Sequence, residues 1–360
     1  MHVRSLSITN LRNVSDARVE PAAGFNLLVG DNGAGKTTVL ESLVILGKGR
    51  SFRSGAIGSL IGSADPAFRV LADIVDDHGK PHRVGLERTR DSWRGRLDGE
   101  EMHQISESAP LFPLVLMEPT SYLLVSGSPD VRRRFLDWTV FHVKPEFLGV
   151  WRRYARVLKQ RNAALRQGSL ALIQSLDPQF IALGEQLHAL RDEVFGQLAP
   201  RIEALVSDMS PDLGQPAVCL KSGWGLDSLA ESLAEGLNRD REQGMTRQGP
   251  HRADVQFRID GRSVRDRLSR GEQKILAAAS LLSQATVFSD TGHRPVVLLD
   301  DLASEFDQAH LDQVMSHVQA LGAQHFVTGV DCAPFNAWKG EKVGVFHVKQ
   351  GVIERHEARS

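Results

Sequence analysis

The sequence predicts an α/β fold with an inserted, mainly helical lobe, and three observations carry that reading. First, the apolar run "FNLLV" (Phe25 to Val29) leads into a glycine-rich loop and then a helical pattern. Second, far downstream, "RPVVLLDDLASEFD" sets Val296 to Leu299 before the paired acids Asp300 and Asp301. Third, the stretch between them turns helical and is punctuated by Pro145, Pro178, Pro200, Pro211 and Pro216. Strand-type runs on both sides of a helical stretch indicate one α/β unit interrupted by a lobe. The expected divisions are 1–118, 119–249 and 250–360, with the outer two forming one lobe. The prolines are expected to end helical segments.

The first division alternates strand-like runs with glycine-rich turns, as a lobe with an antiparallel sheet would. Within it, Gly30-Asp31-Asn32-Gly33-Ala34-Gly35-Lys36-Thr37 fits G-x-x-x-x-G-K-[ST] at every defined position, with Thr38 following. Such a loop turns backbone N–H groups around a β-phosphate. Lys36 supplies a point charge for the β- and γ-oxygens, and the Thr37 hydroxyl a Mg²⁺ ligand. Val39, Leu40, Leu43, Val44 and Leu46 then repeat at helical spacing, and a helix starting there aims its positive end at the anion. The loop is a site for a nucleotide triphosphate with Mg²⁺.

Charge is uneven in the helical division. Between Val131 and Arg166 stand Arg132, Arg133, Arg134, Lys144, Arg152, Arg153, Arg156, Lys159, Arg161 and Arg166, against only Asp137 and Glu146. Arg152, Arg156 and Lys159 fall on one face at i, i+4 and i+7. Phosphate contacts need only positive charge and give affinity without sequence preference, so Arg132 to Arg134 and this face are candidate DNA contacts. Nothing resembles a base-reading zinc finger or homeodomain. Arg252 in "GPHRAD" fits a DNA face, a nucleotide site or lobe packing equally well.

In the last division, "RLSRGEQKILAAASLLSQATVF" places Ser269 where a helix N-cap belongs, with Glu272 three residues on as in a capping box. The strand "VVLL" then ends in carboxylates, the usual place for a Mg²⁺ partner beside a phosphate loop. Asp300 is assigned to the metal, directly or through water, and Asp301 to orienting or deprotonating an attacking water.

Composition bounds the reading. The chain has 360 residues, 41% of them hydrophobic, enough for one large or two moderate domains. A net charge of -1 gives no global bias toward nucleic acid, so any DNA surface is local. Two cysteines exclude a disulfide framework and a CxxC metal site. With no signal-like start and no apolar run long enough to span a bilayer, a soluble cytoplasmic protein without membrane contact is expected.

Taken in order, the phosphate loop, Leu-Ser-x-Gly at a helix start, the strand with Asp-Asp and Ser-Glu-Phe-Asp resemble the ABC-type ATPase superfamily. The resemblance implies that Leu268 to Glu272, with Ser269, Arg270, Gly271 and Glu272, is a signature motif presented in trans to a second subunit's nucleotide. It also implies that Ser304, Glu305 and Asp307 belong to the D-loop, and that ATP holds two copies together. "VSGSPDVRRRFLDW", "YARVLKQRNAAL", "TRQGPHRADVQF" and the opening "LSITNLRNV" resemble, end to end, the RecF family of bacterial recombination and repair proteins. This implies an SMC-like head without the long coiled coil, in an ATP-dependent DNA-binding homodimer. The implied protein acts with RecO and RecR to help place RecA at gaps or single-strand/double-strand junctions, in support of replication restart and SOS induction. Departures from the superfamily pattern concern hydrolysis. Glu272 stands where Gln is usual, and Asp301 is one methylene shorter than the Glu common in transporters. Thr328 and Gly329 fall where a switch histidine is expected, and Met117-Glu118-Pro119 where a Q-loop glutamine is. A slow, DNA-stimulated ATPase is the implied activity, with a nucleotide-gated scaffold for RecR as the alternative.

Overall fold

The structure is a computed structural model and describes residues 1–53, 57–264, 267–338 and 343–356. The chain begins with β1 (His2–Leu11), β2 (Val14–Val19), β3 (Phe25–Val29) and α1 (Lys36–Lys48). Next come β4 (Phe68–Val75), β5 (Pro81–Arg88), β6 (Trp93–Leu97), β7 (Glu100–Met102) and β8 (Leu114–Met117). A helical stretch follows: α2 (Leu123–Ser126), α3 (Pro129–Val143), α4 (Phe147–Gln167) and α5 (Leu170–Met209). After it stand β9 (Pro216–Lys221), α6 (Leu229–Gln243), β10 (Asp254–Ile259), β11 (Arg262–Ser263) and α7 (Arg270–Asp290). The chain closes with β12 (Val296–Leu299), α8 (Leu302–Glu305), α9 (Gln308–Ala320), β13 (Gln324–Gly329), β14 (Val343–Lys349) and β15 (Val352–Arg355).

Two compact units result, one from 1–121 with 284–360 and one from 122–283. The sequence reading returned the chain to the outer lobe at 250. The compact inserted unit instead keeps β10, β11 and the first part of α7, and so carries a three-stranded sheet, β11-β10-β9, beside its helices.

The first unit holds two six-stranded sheets. One is antiparallel, in the order β2-β1-β4-β5-β6-β7. Its alternating burial matches the period-2 pattern of a sheet with one covered face. The other runs β15-β14-β3-β13-β12-β8, parallel from β14 to β8. Its central strands β3, β12 and β13 are buried at every residue, so β12 (VVLL) and, apart from Asn26, β3 read as apolar runs rather than alternations, while β13 also buries Gln324, His325 and Thr328. The C-terminal ends of parallel strands are where an open α/β sheet places its ligands, and both sequence motifs sit there.

In the second unit, two prolines do not end a helix as expected. Pro178 and Pro200 lie inside the single 40-residue helix α5. An interior proline costs about 3 kcal/mol through a lost hydrogen bond and a ring clash. The stripe Phe180, Leu183, Leu187, Leu190, Val194, Leu198, Ile202 and Val206 is buried throughout, and each such side chain returns about 1.5–3 kcal/mol. Burial therefore overrides the breakers. Pro145 does fall between α3 and α4, Pro211 opens a 3-10 turn (Pro211–Leu213) just after α5, and Pro216 opens β9.

The motif "TRQGPHRAD" is fixed in this unit by buried polar side chains. Arg161 is fully buried, with Nε donating to Asp177 Oδ1 (2.7 Å) and Nη1 to Asp240 Oδ2 and Thr246 Oγ1 (both 2.8 Å). Arg191 makes a bidentate pair with Asp137 (2.7 and 2.9 Å) and donates to Pro250 O (2.7 Å). His251 lies between Tyr154 Oη at Nδ1 (2.7 Å) and Thr246 O at Nε2 (3.0 Å). A carbonyl only accepts, so Nε2 carries the proton and the Tyr154 hydroxyl donates to Nδ1. Burial pushes the His251 imidazole down to about 4, helped by the cations of Arg252, Arg133 and Arg161.

The unfolded histidine takes a proton near its ordinary 6.5, while the folded one stays neutral until about 4. Below 6.5 the unfolded state therefore binds more protons, and stability is lost as pH falls through that window, by an amount on the order of 3 kcal/mol. Chemical denaturation at pH 7.5 and 4.5 should show this loss, and His251→Gln should remove most of it. An unchanged pH dependence in that variant would assign the acid lability to other groups.

Candidate functional site

The phosphate loop joins β3 to α1 and is held on several sides. Gly30 N–H donates to Gly329 O (3.3 Å), Asn13 Nδ2 to Gly33 O (2.8 Å), and Gly351 N–H to Ala34 O (2.8 Å). A Cβ on Gly30 would stand 2.1 Å from Val348 O, so no other residue fits there. Gly33 turns the chain at φ 79°, a left-handed conformation that glycine enters without penalty. Arg12 fixes the base of α1 by a bidentate pair to Glu41 (3.0 and 2.8 Å), whose side chain is fully buried. Arg12 and Asn13 thus give the opening motif its purpose: they brace the loop and its helix.

Lys36 folds over the loop, with Nζ donating to Gly30 O (2.5 Å) and Asp31 O (3.0 Å). Burial pulls its ammonium below the ordinary lysine range, while Asp301, Asp300 and Asp31 act in the opposite direction. Thr37 Oγ1 donates to Asp300 Oδ1 at 2.9 Å, bringing together two predicted metal ligands 263 positions apart. Thr38 is buried behind them. Asp31 and Asn32 are exposed on the loop, and Ala34 and Gly35 complete it ahead of α1.

Thr328, at the position expected for a switch histidine, performs a task the sequence did not reveal. Its hydroxyl donates to Asp300 Oδ1 (2.8 Å) and accepts from the Asp301 N–H (2.9 Å). One side chain on β13 therefore fixes both acids at the end of β12. Asp301 sits in the left-handed region (φ 55°, ψ 35°) as the residue ahead of α8. That conformation costs a non-glycine residue about 1–2 kcal/mol and is uncommon outside turns and functional sites. Among the described residues its carboxylate has no hydrogen-bond partner, so both oxygens remain available to a ligand.

Two further groups bear on the site. Asp300 N–H donates to Met117 O (2.8 Å), which sets Glu118 beside it at the end of β8. Burial, with the Asp300 charge adding to it, raises the Glu118 carboxyl to about 7 against the opposing effects of Thr120, Lys48 and Arg53. Burial also raises Asp300, against hydrogen bonds from Thr328 and Thr37 and the cation of Arg53. Arg53 is exposed, and its field reaches both acids. The sequence reading missed it, since one arginine in a polar stretch carries no signal.

Hydroxyl and carboxylate oxygens fit a small hard cation, which binds one or two protein oxygens and completes its shell with phosphate and water. Among the described residues no group of three or more His, Cys, Asp or Glu could hold a metal by itself. The Thr37 hydroxyl and the Asp300 carboxylate fit Mg²⁺ carried with a nucleotide.

The residues expected to form a D-loop follow directly. Ser304 Oγ donates to Asp301 O (2.8 Å), and Glu305 ends α8. Asp307 caps α9 by accepting from the His310 N–H (2.9 Å).

In the second unit, the predicted capping box is present. Ser269 N–H donates to Glu272 Oε2 (2.7 Å), and Glu272 N–H donates to Ser269 Oγ (3.3 Å). Ser269, Arg270 and Gly271 are exposed at the start of α7, and the Arg270 guanidinium lies 5.8 Å from the centre of the Tyr122 ring.

The basic residues separate by burial. Arg132 is corrected as a DNA contact: it is buried, paired with Asp254 through Nε and Nη2 (2.7 and 3.0 Å), and bonded to Gly127 O (2.7 Å). Three consecutive helical residues point 100° apart, so one of Arg132 to Arg134 must face inward. Arg133 is half-buried, bonded to Ala253 O (2.6 Å) and Asp130. Arg134 is exposed, with Nε on Asp130 O (3.1 Å). On α4, Arg152, Arg156 and Lys159 are all exposed, as the helical spacing requires.

The model of the RecF/RecN/SMC N terminal domain family matches residues 2–354. The DNA replication and repair protein RecF of Xanthomonas euvesicatoria pv. vesicatoria is 40% identical over 99% of this chain and 100% of that protein. That of Stenotrophomonas maltophilia is 39% identical over 98% and 99%. Among solved structures, the recombination mediator RecF with ATP has a TM-score of 0.88 at 21% identity, covering 99% of this chain and 98% of that one. An Smc head domain from Pyrococcus furiosus has 0.61 at 15% identity, covering 99% and 96%; these two likenesses speak for an SMC-head-like fold. With relatives this similar along the full chain, the protein belongs to the RecF family of DNA replication and repair proteins.

Proposed function

We propose that the protein is an ATP-gated homodimer that binds DNA without sequence specificity at gaps or strand junctions. It hydrolyses ATP slowly, under DNA stimulation, in the cytoplasm. The reading rests on one observation above the others, the hydrogen bond closing Thr37 of the phosphate loop onto Asp300. With RecF relatives described as DNA replication and repair proteins, and a RecF structure described as part of the RecFOR pathway, the partners follow: RecR and RecO, with RecA loading as the outcome.

In this reading the loop N–H groups and Lys36 hold the triphosphate. Thr37 and Asp300 hold Mg²⁺, which when bound neutralises charge on the β- and γ-oxygens. Asp301 orients the attacking water. Ser269 and Gly271 of a second copy meet the γ-phosphate, so ADP releases the pair. Slow turnover follows from two features. A short carboxylate in a strained conformation has poorer in-line geometry, and Thr328 offers the γ-phosphate no imidazole.

The test is sedimentation with labelled duplex, with ATP or ADP. ATP alone should double the mass and recruit duplex. Removing Arg152, Arg156 and Lys159 together should keep the dimer and lower the slope of log affinity against log salt by roughly three, at about 0.9 per phosphate. A monomer in ATP would reject the gating, and an unchanged slope would move the DNA face to Arg133 and Arg134. The absence of a switch histidine also favours a second reading, a nucleotide-gated scaffold for RecR with incidental hydrolysis. Full repair activity in an Asp301→Asn strain would select it.

A further inference from the structure

The segment 246–253 receives more buried polar side chains than its size warrants. Asn162 Oδ1 accepts from both the N–H (2.8 Å) and hydroxyl (2.7 Å) of Thr246, and Asp240 Oδ1 from the Arg247 N–H (3.0 Å). Arg191 and Arg133 donate to the carbonyls of Pro250 and Ala253, and Tyr154 to His251. Gly249, at φ 134°, donates to Gly223 O (3.0 Å), and a Cβ on Gly223 would stand 2.2 Å from Gly249 O. Backbone that could be solvated in an ordinary surface loop is here held rigid at nearly every residue.

What this scaffold presents is Arg252. Its side chain is exposed and, among the described residues, has neither hydrogen bond nor ion pair. Two residues on, Asp254 is directly opposite Lys221 in the β9–β10 register, and Lys221 is likewise exposed without a partner among the described residues. The carboxylate of Asp254 itself is consumed by Arg132, so it does not neutralise either cation. The charges with the largest effect on the buried His251 are those of Arg252, Arg133 and Arg161, and on Tyr154 those of Arg191, Arg161 and Arg252.

We infer that Arg252, with Lys221 beside it, is a fixed contact to a DNA backbone phosphate, separate from the basic face of α4. The inference rests on the DNA-binding reading above. With the backbone at 252 already fixed, only the freedom of the side chain itself is lost when the guanidinium meets an anion. One cation on a fixed turn and one at the end of the neighbouring strand β9 therefore suit a phosphate whose position is set by the rest of the complex.

The experiment uses the full chain with ATP, Mg²⁺ and a fluorescein-labelled duplex of mixed sequence, titrated between about 50 and 200 mM salt. Arg252→Ala should lower the salt slope by about 0.9, and adding Lys221→Ala should lower it by about as much again. Arg252→Lys should restore most of the slope, because a phosphate contact needs charge rather than shape. The ATP-dependent dimer mass should be the same in all variants. A wild-type slope in Arg252→Ala overturns the inference while leaving DNA binding intact. Loss of the dimer in Arg252→Ala also overturns it, assigning Arg252 to the contact between copies. If the unaltered protein binds no duplex in ATP, the inference and the DNA-binding reading fall together.

Discussion

Asp301→Asn should trap the protein as an ATP-bound dimer while its hydrolysis falls by about 10²-fold or more, the usual contribution of a positioned general base. The amide keeps the size of the side chain, and aspartate and asparagine both tolerate the left-handed backbone found at 301. The Asp301 N–H bond to Thr328 is a backbone bond and survives the change. Asp300→Asn should behave differently. Its Oδ1 accepts from both Thr37 and Thr328, so an amide there weakens the metal partner and the clamp together and damages Mg²⁺-dependent nucleotide binding. Single-turnover assays on preformed ATP complexes separate the two. Wild-type hydrolysis in Asp301→Asn would mean that another group positions the water, and Glu305 of the D-loop would be examined next.

Ser269→Arg should leave nucleotide binding intact and keep the protein monomeric at saturating ATP. Arginine at an N-cap removes a side-chain acceptor worth about 1 kcal/mol to the helix. It also sets a cation against the positive end of α7, where an anion is favoured. In the dimer it would add bulk where the γ-phosphate of the second copy belongs, and a misplaced charge in an interface costs several kcal/mol. The dimer constant should weaken by more than about 10²-fold, or ~3 kcal/mol. Ser269→Ala is the control, since it loses the cap without adding bulk and should weaken dimerisation less. Dimers of Ser269→Arg at ordinary ATP levels would remove the signature motif from the interface.

Local signals explain what the sequence made legible. The strand, loop and helix around Lys36 each have a short-range pattern, and the Ser269–Glu272 box needs only four residues to recognise. The pair Asp300 and Asp301 stands out because an apolar strand ends on it. Thr328 carries no such mark. Its role exists only because β13 lies between β3 and β12 in the sheet, a long-range fact. The same applies to Arg132, whose acid stands 122 positions away, and to Arg161, whose buried partner Asp240 stands 79 positions away. Charge counting cannot tell an exposed arginine from one that will meet a distant carboxylate inside the fold. Pro178 and Pro200 misled for the opposite reason, because a strong local rule yielded to the burial stripe of α5.

The sheet order also constrains how the chain is made. Phe25 of β3 pairs with His325 of β13 on one side and Val343 of β14 on the other. A ribosome adding about 5–20 residues per second would deliver those partners roughly 15–60 s after β3 emerges. Throughout that interval a strand that is apolar except for Asn26 has neither permanent neighbour, while 122–283 can already close on itself. Unpaired strand edges of this kind aggregate. During synthesis β3, and with it the loop it anchors, therefore stays exposed to such pairing until β13 and β14 arrive.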